Sequence, residues 1–328
     1  MLRAYGLKTH IWNNNLRSII LLCLFPVLLF ALSFAGILLF TAYTTGSDVS
    51  AGLAYSTSLM PVTVPWVMGG SAVWFGVAFF GHQAMIDKAT GAHSVSPALE
   101  PRAYRLLENL CISRGITMPK LKIIETDVMN AFASGIRTQN YTIALTRGLM
   151  RNLDDDELEA VIAHELSHIE NRDVRLMIIA VIFVGIISFF GETVVRNMFR
   201  VNMPRNSHHR RSGGGNAGAL ILFAFVIIAL SYALATVVRF ALSRQREYLA
   251  DAGAVELTKN PDAMIRALQK ISGRANLTQL PAEVREMAFE NPRVGLAGMF
   301  ATHPPIEKRI EALVEYAGGR VQPRLFSG

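Results

Sequence analysis

The chain has 328 residues, a formal net charge of +7 and 51% apolar residues. Charged residues make up only 17% of it, against about 25% in soluble proteins, and the mean hydropathy is +0.32. This composition predicts an integral membrane protein. The arginines stand beside apolar segments and form no basic stripe interleaved with aromatic residues, which argues against nucleic acid as a partner. Cys23 and Cys111 provide neither a disulfide framework nor a C-x-x-C metal site.

Residues 1–85 are predicted to form a membrane region with two spans. Residues 18–43 contain no charged side chain and are longer than the roughly 20 residues that a membrane-spanning helix needs. They are also too long for the apolar part of a signal peptide, and no cleavage-site pattern follows them. Residues 62–81 are a second, weaker candidate, because Pro65 and several glycines interrupt them, although membrane helices tolerate both residue types.

The distribution of lysine and arginine predicts that the N-terminus and the residues after position 85 lie in the cytoplasm. Basic residues stand before the first span and after the second, whereas the loop between the spans, residues 44–61, has none. The basic residues on which this orientation depends are Arg3, Lys8, Arg17, Lys88, Arg102 and Arg105.

Residues 86–173 are predicted to begin a cytoplasmic α+β domain with a small, mainly antiparallel sheet. Residues 97–116 have the apolar periodicity of an amphipathic helix. Three short segments with strand character follow, and a turn-like stretch separates the last two. These segments are residues 121–125, 130–135 and 141–146.

The next helix is predicted to start at Asp154 or Asp155, because Asp154 and Glu157 have the spacing of a capping box. The acidic first turn also suits the positive end of the helix dipole. The apolar stripe of this helix comprises Leu158, Val161, Ile162, Leu166 and Ile169. A stripe of this kind predicts that the helix is partly buried, where a metal site can be held rigidly.

Residues 164–168 of this helix have the pattern H-E-x-x-H. His164 and His168 lie one turn apart on the same face, so both can bind one metal ion. Glu165 is rotated by about 100° around the helix axis and can face the metal without being a ligand. In zinc peptidases this arrangement provides two ligands and a general base.

Residues 174–242 are predicted to contain two more apolar helices, residues 174–190 and residues 218–242, joined by a basic loop. If both helices cross the bilayer, the loop lies outside the cytoplasm, against the positive-inside rule. The alternative is a hairpin that dips into the membrane or packs on the soluble domain. The arginines of the loop are Arg196, Arg200, Arg205, Arg210 and Arg211.

Catalytic zinc usually has three ligands from the protein, so a third ligand is expected besides the two histidines. Glu247 is the best candidate because of where the chain brings it. The two apolar helices run in opposite directions, so the chain returns to the same side just before Glu247 and close to His164 and His168. Asp251 follows four residues later on the same helical face, where it can hydrogen-bond the free N–H of a ligand histidine. The alternative is that Glu247 belongs to a charged run that ends a membrane helix.

Three motifs resemble the HtpX family of membrane-bound zinc metalloproteases. They are residues 164–168, residues 243–251 (S-R-Q-R-E-Y-L-A-D) and residues 302–310 (T-H-P-P-I-E-K-R-I). Residues 130–133 (N-A-F-A) are also similar to the segment that precedes the zinc helix in that family. The similarity covers roughly residues 60–316 in the same order, and the basic loop and the longer N-terminal section depart from it.

The apolar segments and the soluble part together predict a mainly α integral membrane protein with about four apolar helices and a cytoplasmic α+β domain, and the resemblance implies that this domain is a protease domain of the zincin-like, gluzincin type. Residues 243–317 complete this domain, and residues 318–328 are expected to form a flexible tail. The resemblance also implies a bound Zn²⁺ whose ligands are His164, His168 and Glu247.

The family pattern assigns roles to other residues as well. It implies that Glu165 is the general base and that Asp251 supports a ligand histidine. His303 and Arg309 are implied to approach the carbonyl group of the substrate. Asn130 begins a segment that is either an edge strand accepting an extended substrate through its backbone or an ordinary strand of the sheet.

The H-E-x-x-H motif predicts a zinc endopeptidase, and the resemblance implies that it cleaves misfolded or damaged membrane proteins in the bacterial inner membrane. The apolar segments and the distribution of basic residues predict a multi-pass protein whose site faces the cytoplasm. Its partners would be protein substrates and the lipid bilayer. The alternative is a membrane scaffold or chaperone-like binder with a structural metal, although such a site has no need of Glu165 as a base. A transporter is disfavoured, because paired intramembrane carboxylates and an inverted repeat are absent from the sequence.

Overall fold

The computed structural model describes residues 7–45, 49–179, 182, 217–240, 244–272 and 305–321. The chain forms two compact units. The apolar unit comprises residues 18–79 and 180–239, and the mixed unit comprises residues 1–17, 80–179 and 240–328.

The described elements follow one another along the chain with short connections. In order they are α1 (Leu7–Thr45), α2 (Val49–Thr90), β1 (His93–Ser94), α3 (Pro101–Arg114), β2 (Lys120–Ile124), β3 (Ala131–Ser134), a 3₁₀ turn (Thr138–Asn140), β4 (Thr142–Thr146), α4 (Arg147–Asn152), α5 (Asp155–Glu170), α6 (Ala217–Phe240), α7 (Arg244–Thr258), α8 (Pro261–Ser272) and α9 (Ile306–Ala317). Residues 173–179 are also helical.

The apolar unit is built from α1, the first part of α2, and α6. These helices share a buried cluster made of Ala35, Leu38, Leu39, Ala42 and Ala224. Large apolar side chains also point outward, and Trp66 is 81% exposed. By length and composition, Cys23–Ala42 within α1 and the whole of α2 could cross a membrane. Apolar side chains on the outside of such helices suit a lipid environment.

The predicted apolar segments are confirmed in part. Residues 18–43 lie within α1, residues 62–81 within α2, and α6 falls within the fourth segment apart from its first residue. The predicted loop at residues 44–61 is wrong at every described position, because α1 continues to Thr45 and α2 begins at Val49. Leu53 packs against the buried cluster of the apolar unit, which draws these residues into the helix. The third segment lies mostly outside the described residues, and the basic loop entirely.

The mixed unit contains a four-stranded sheet in the order β1-β2-β4-β3. The strands pair antiparallel between β1 and β2 and between β4 and β3, but β2 and β4 are parallel. The predicted, mainly antiparallel sheet is therefore a mixed one. The short turn between β3 and β4 makes these two strands antiparallel and places β3 at the end of the order, so β4 pairs through its other edge with β2.

Helix α5 lies at the centre of the mixed unit and packs against α3, α7, α8 and β3. The apolar stripe predicted for this helix is buried, as are several of its polar side chains. Helix α3 is shorter than predicted at both ends. Pro101, which lacks an N–H group, occupies its first turn, and Gly115 with φ +68° ends it.

Candidate metal centre

The capping box predicted at the start of α5 is confirmed. The Asp154 side chain accepts a hydrogen bond from the Glu157 backbone, and the Glu157 side chain accepts one from the Asp154 backbone. Glu157 is also buried, and α8 supplies Arg266 and Lys270 as its cationic partners. The start of the helix is thereby fixed to a neighbouring element, which sets the position of the residues two turns later.

His164 and His168 face each other across one turn of α5, and their Nε2 atoms are 3.2 Å apart. Two nitrogens that bind one tetrahedral zinc ion at 2.0–2.1 Å are about 3.3–3.4 Å apart. The spacing in the protein therefore matches a shared metal ion. The His164 side chain is 1% exposed and the His168 side chain 14% exposed, so His164 is buried and His168 remains partly accessible to solvent.

Glu247 reaches the two histidines from the first turn of α7. Its Oε2 atom is 3.6 Å from Nε2 of His164, and its Oε1 atom is 3.6 Å from Nε2 of His168. One ligand atom from each of the three side chains lies within 4.8 Å of the others. Two imidazoles and a carboxylate form the donor set of catalytic zinc sites that keep a fourth position for water.

A buried carboxylate supports His164 from behind. Oδ1 of Asp251 lies 2.9 Å from Nδ1 of His164, and the Arg309 guanidinium donates to both oxygens of Asp251, at 2.9 and 2.6 Å. Burial acts to raise the pKa of Asp251, but the charge and hydrogen bonds of Arg309, together with the interaction with His164, outweigh it and hold that pKa below its usual value. Asp251 therefore stays ionised beside the histidine.

The electrostatics of the site favour positive charge at the ligands. Burial and the charge of Arg309 act to lower the pKa of His164, but the interactions with Asp251 and Glu247 outweigh both and raise it to about 9. A pocket that stabilises a cation in this way suits a divalent metal ion.

Glu165 is 3% exposed and lies beside the two histidines. Burial raises the pKa of its carboxyl group above the usual value, and the two histidines offset part of this shift. A backbone hydrogen bond from Ala133 holds the carboxylate, so β3 lies next to it. A carboxyl group with a raised pKa beside a metal site is suited to accepting and releasing a proton.

Asp173 also belongs to the site, although its position in the sequence did not predict this. Its Oδ2 atom lies 3.0 Å from Nδ1 of His168, and the residue is 1% exposed. The sequence does show a carboxylate shortly after the end of the H-E-x-x-H helix. Whether this carboxylate reaches His168 depends on the conformation of the turn between them, and helical spacing does not predict that conformation.

The other predicted site residues divide into three cases. Arg309 is buried against Asp251, with Nη1 3.7 Å from Glu247, and its proposed contact with a substrate carbonyl stays a prediction. Asn130 is buried directly before β3, where its backbone exchanges hydrogen bonds with the Thr146 hydroxyl. Its role in substrate binding also stays a prediction. His303 lies outside the described residues.

Residues 97–317 match the model of peptidase family M48. A protease HtpX homolog of Bacteroides fragilis is 42% identical over 321 residues, which cover 95% of this chain and 99% of that protein. One from Listeria monocytogenes is 40% identical over 221 residues, covering 65% of this chain and 73% of that protein. The crystal structure of S. mikatae Ste24p is 20% identical with a TM-score of 0.47, covering 76% of this chain and 57% of that one, which is too distant to equate the folds.

Proposed function

Because the chain belongs to the HtpX proteases of peptidase family M48, we propose that it is a zinc endopeptidase with His164, His168 and Glu247 as the metal ligands. Family membership makes it a membrane-bound metallopeptidase. One observation supports the ligand assignment. Two imidazole nitrogens lie 3.2 Å apart, and the oxygens of one carboxylate lie 3.6 Å from each of them.

The ligand residues and Glu165 divide the chemistry between them. Zinc bound at the three ligands would polarise the peptide carbonyl and acidify a water molecule. Glu165 would accept a proton from the attacking water molecule while the oxygen of that water bonds to the carbonyl carbon. It then delivers the proton to the leaving amine nitrogen as the C–N bond breaks. The hydrogen bond from Ala133 keeps the carboxylate in place for both transfers.

Asp251 and Arg309 hold the site in shape in this proposal. Asp251 accepts the Nδ1 proton of His164, which leaves Nε2 with the lone pair that a metal ligand needs. Arg309 fixes both oxygens of Asp251 in a fork and compensates its buried charge.

The natural substrates that we propose are misfolded or damaged membrane proteins of the bacterial inner membrane, cleaved on the cytoplasmic side. Two features support the membrane location and the cytoplasmic side. The helices of the apolar unit present large apolar side chains outward, and basic residues flank the first two apolar segments in the pattern expected for cytoplasmic ends.

Cleavage of a casein-type substrate in detergent tests the function. We expect the wild type to cleave it, a chelator to stop cleavage and added zinc to restore it. Glu165→Gln should retain the metal and lose at least about 100-fold in rate, since general base catalysis contributes 10²–10⁴-fold. Glu108→Gln, on the exposed face of α3, is the matched control and should cleave like the wild type.

Two results would contradict the proposal. One is cleavage by Glu165→Gln at the wild-type rate in preparations free of other proteases. The other is a wild type that binds the metal but cleaves no protein, which would favour the scaffold or chaperone-like alternative with a structural metal.

A further inference from the structure

We propose that Asp173 is a positioning residue of the metal centre, which holds His168 in the orientation and tautomer that metal binding requires. This inference rests on the proposed metal site. It assigns the second ligand histidine its own carboxylate, supplied by a different part of the chain from the one that supports His164.

The contact uses the ring nitrogen of His168 that does not face the other ligands. Nε2 of His168 points toward His164 and Glu247, whereas Nδ1 lies 3.0 Å from Oδ2 of Asp173. A carboxylate that accepts the Nδ1 proton leaves the lone pair on Nε2 and makes the imidazole a stronger ligand. Asp173 is 1% exposed, so water competes little for this hydrogen bond.

The turn after α5 brings Asp173 to the histidine. On a continuous helix, two residues five positions apart are separated by about 140° around the axis, so Asp173 would not face His168. Helix α5 ends at Glu170, and Arg172 adopts a left-handed conformation with φ 60°. Helical structure then resumes at Asp173. A left-handed conformation is unfavourable for a residue with a side chain, so the folded structure imposes this conformation on Arg172.

The two ligand histidines are therefore supported independently. Asp251 on α7, held by Arg309, supports His164. The carboxylate that supports His168 belongs to Asp173, the first residue after the turn. The geometry of His168 thus depends on the chain that leads into residues 174–190. Loss of Asp173 should act on the metal through His168 alone.

Cobalt binding to the full-length protein in detergent tests this inference without measuring activity. Co²⁺ reports ligand geometry by its visible absorption, and competition with a chelator gives its affinity. We expect Asp173→Ala to weaken Co²⁺ binding by about 10–100-fold and to change the spectrum. Asp173→Asn should weaken Co²⁺ binding by about 10-fold, because the amide oxygen can accept the hydrogen bond but carries no charge. Asp127→Asn, at a side chain 92% exposed, is the matched control.

A double-mutant comparison distinguishes positioning from a general structural role. When His168 is already replaced by alanine, adding Asp173→Ala should weaken the residual Co²⁺ binding by less than about threefold, since contacting pairs are non-additive. A loss as large as in the wild-type background would contradict the inference.

Wild-type affinity and spectrum in Asp173→Ala would also overturn it. If that variant does not fold, Asp173→Asn decides, and unchanged affinity in Asp173→Asn overturns the inference. A wild type that binds no Co²⁺ would instead refute the proposed metal site, and this inference with it.

Discussion

At the scale of single residues, each histidine of the site uses one ring nitrogen for the metal position and the other for a buried carboxylate. Asp251 and Asp173 occupy these second positions. The carboxylates also make the pocket attractive to a cation, which is reflected in the raised pKa of His164. Arg309 balances the negative charge of Asp251, because it is fully buried and donates hydrogen bonds to both oxygens of that carboxylate.

Arg309→Met tests this compensation. The variant leaves the charge of Asp251 buried without its partner, and we expect a loss of about 3–5 kcal/mol in the free energy of unfolding. Unfolding followed in detergent by circular dichroism measures it. Arg151→Met is the control, since its ion pair with Asp127 is exposed and should contribute less than about 1 kcal/mol. Equal stability of the two variants would show that Arg309 does not balance Asp251.

The sequence could predict those site residues whose geometry follows from a regular helix. His164, Glu165 and His168 share one helix, so spacing alone fixes their relative directions. Glu247 required an argument about how the chain returns, and the structure places it at the histidines. Asp173 was not predictable in this way, because its approach depends on the left-handed conformation of Arg172.

At the scale of elements, the site depends on how closely α5 and α7 approach each other. Gly253 on α7 faces Ser167 on α5, and a Cβ atom at Gly253 would lie 2.5 Å from the Ser167 hydroxyl and 3.0 Å from its Cβ. The hydroxyl donates a hydrogen bond to the backbone of Ala163, which holds it in place. The absence of a side chain at position 253 therefore allows α7 to carry Glu247 and Asp251 to the histidines.

Gly253→Ala should push the two helices apart. Overpacking of this kind costs about 1–3 kcal/mol, and we also expect weaker metal binding because Glu247 moves with α7. Gly81→Ala is the matched control, since a Cβ there meets no atom within 4 Å. Removing the hydroxyl with Ser167→Ala should recover part of the loss in Gly253→Ala. Metal affinity equal to that of the wild type in the Gly253→Ala variant would contradict this account.

Element boundaries were predictable where local chemistry sets them. The capping box placed the start of α5 correctly, because both of its hydrogen bonds are local. The start of α2 was missed, since Leu53 becomes helical through packing with residues that are distant in the sequence. The parallel pairing of β2 with β4 was missed for a similar reason, as β3 follows β2 in the chain but pairs only with β4 in the described sheet.

At the scale of the whole molecule, the metal centre is assembled from two separate parts of the chain. His164 and His168 precede the apolar segments of residues 174–242, and Glu247 follows them. Both parts belong to the mixed unit. The relative from Bacteroides fragilis matches 95% of this chain, so the similarity includes the apolar segments as well as the residues of the site.

Metal content of the intact, purified protein is the sharpest test of the proposed ligand set. Elemental analysis should find about one zinc per chain in the wild type and in Glu165→Gln, because three protein ligands remain in both. Glu247→Ala should contain clearly less, whereas Glu256→Ala, at an exposed position of the same helix, should match the wild type. An unchanged zinc content in Glu247→Ala would remove Glu247 from the ligand set and contradict the account.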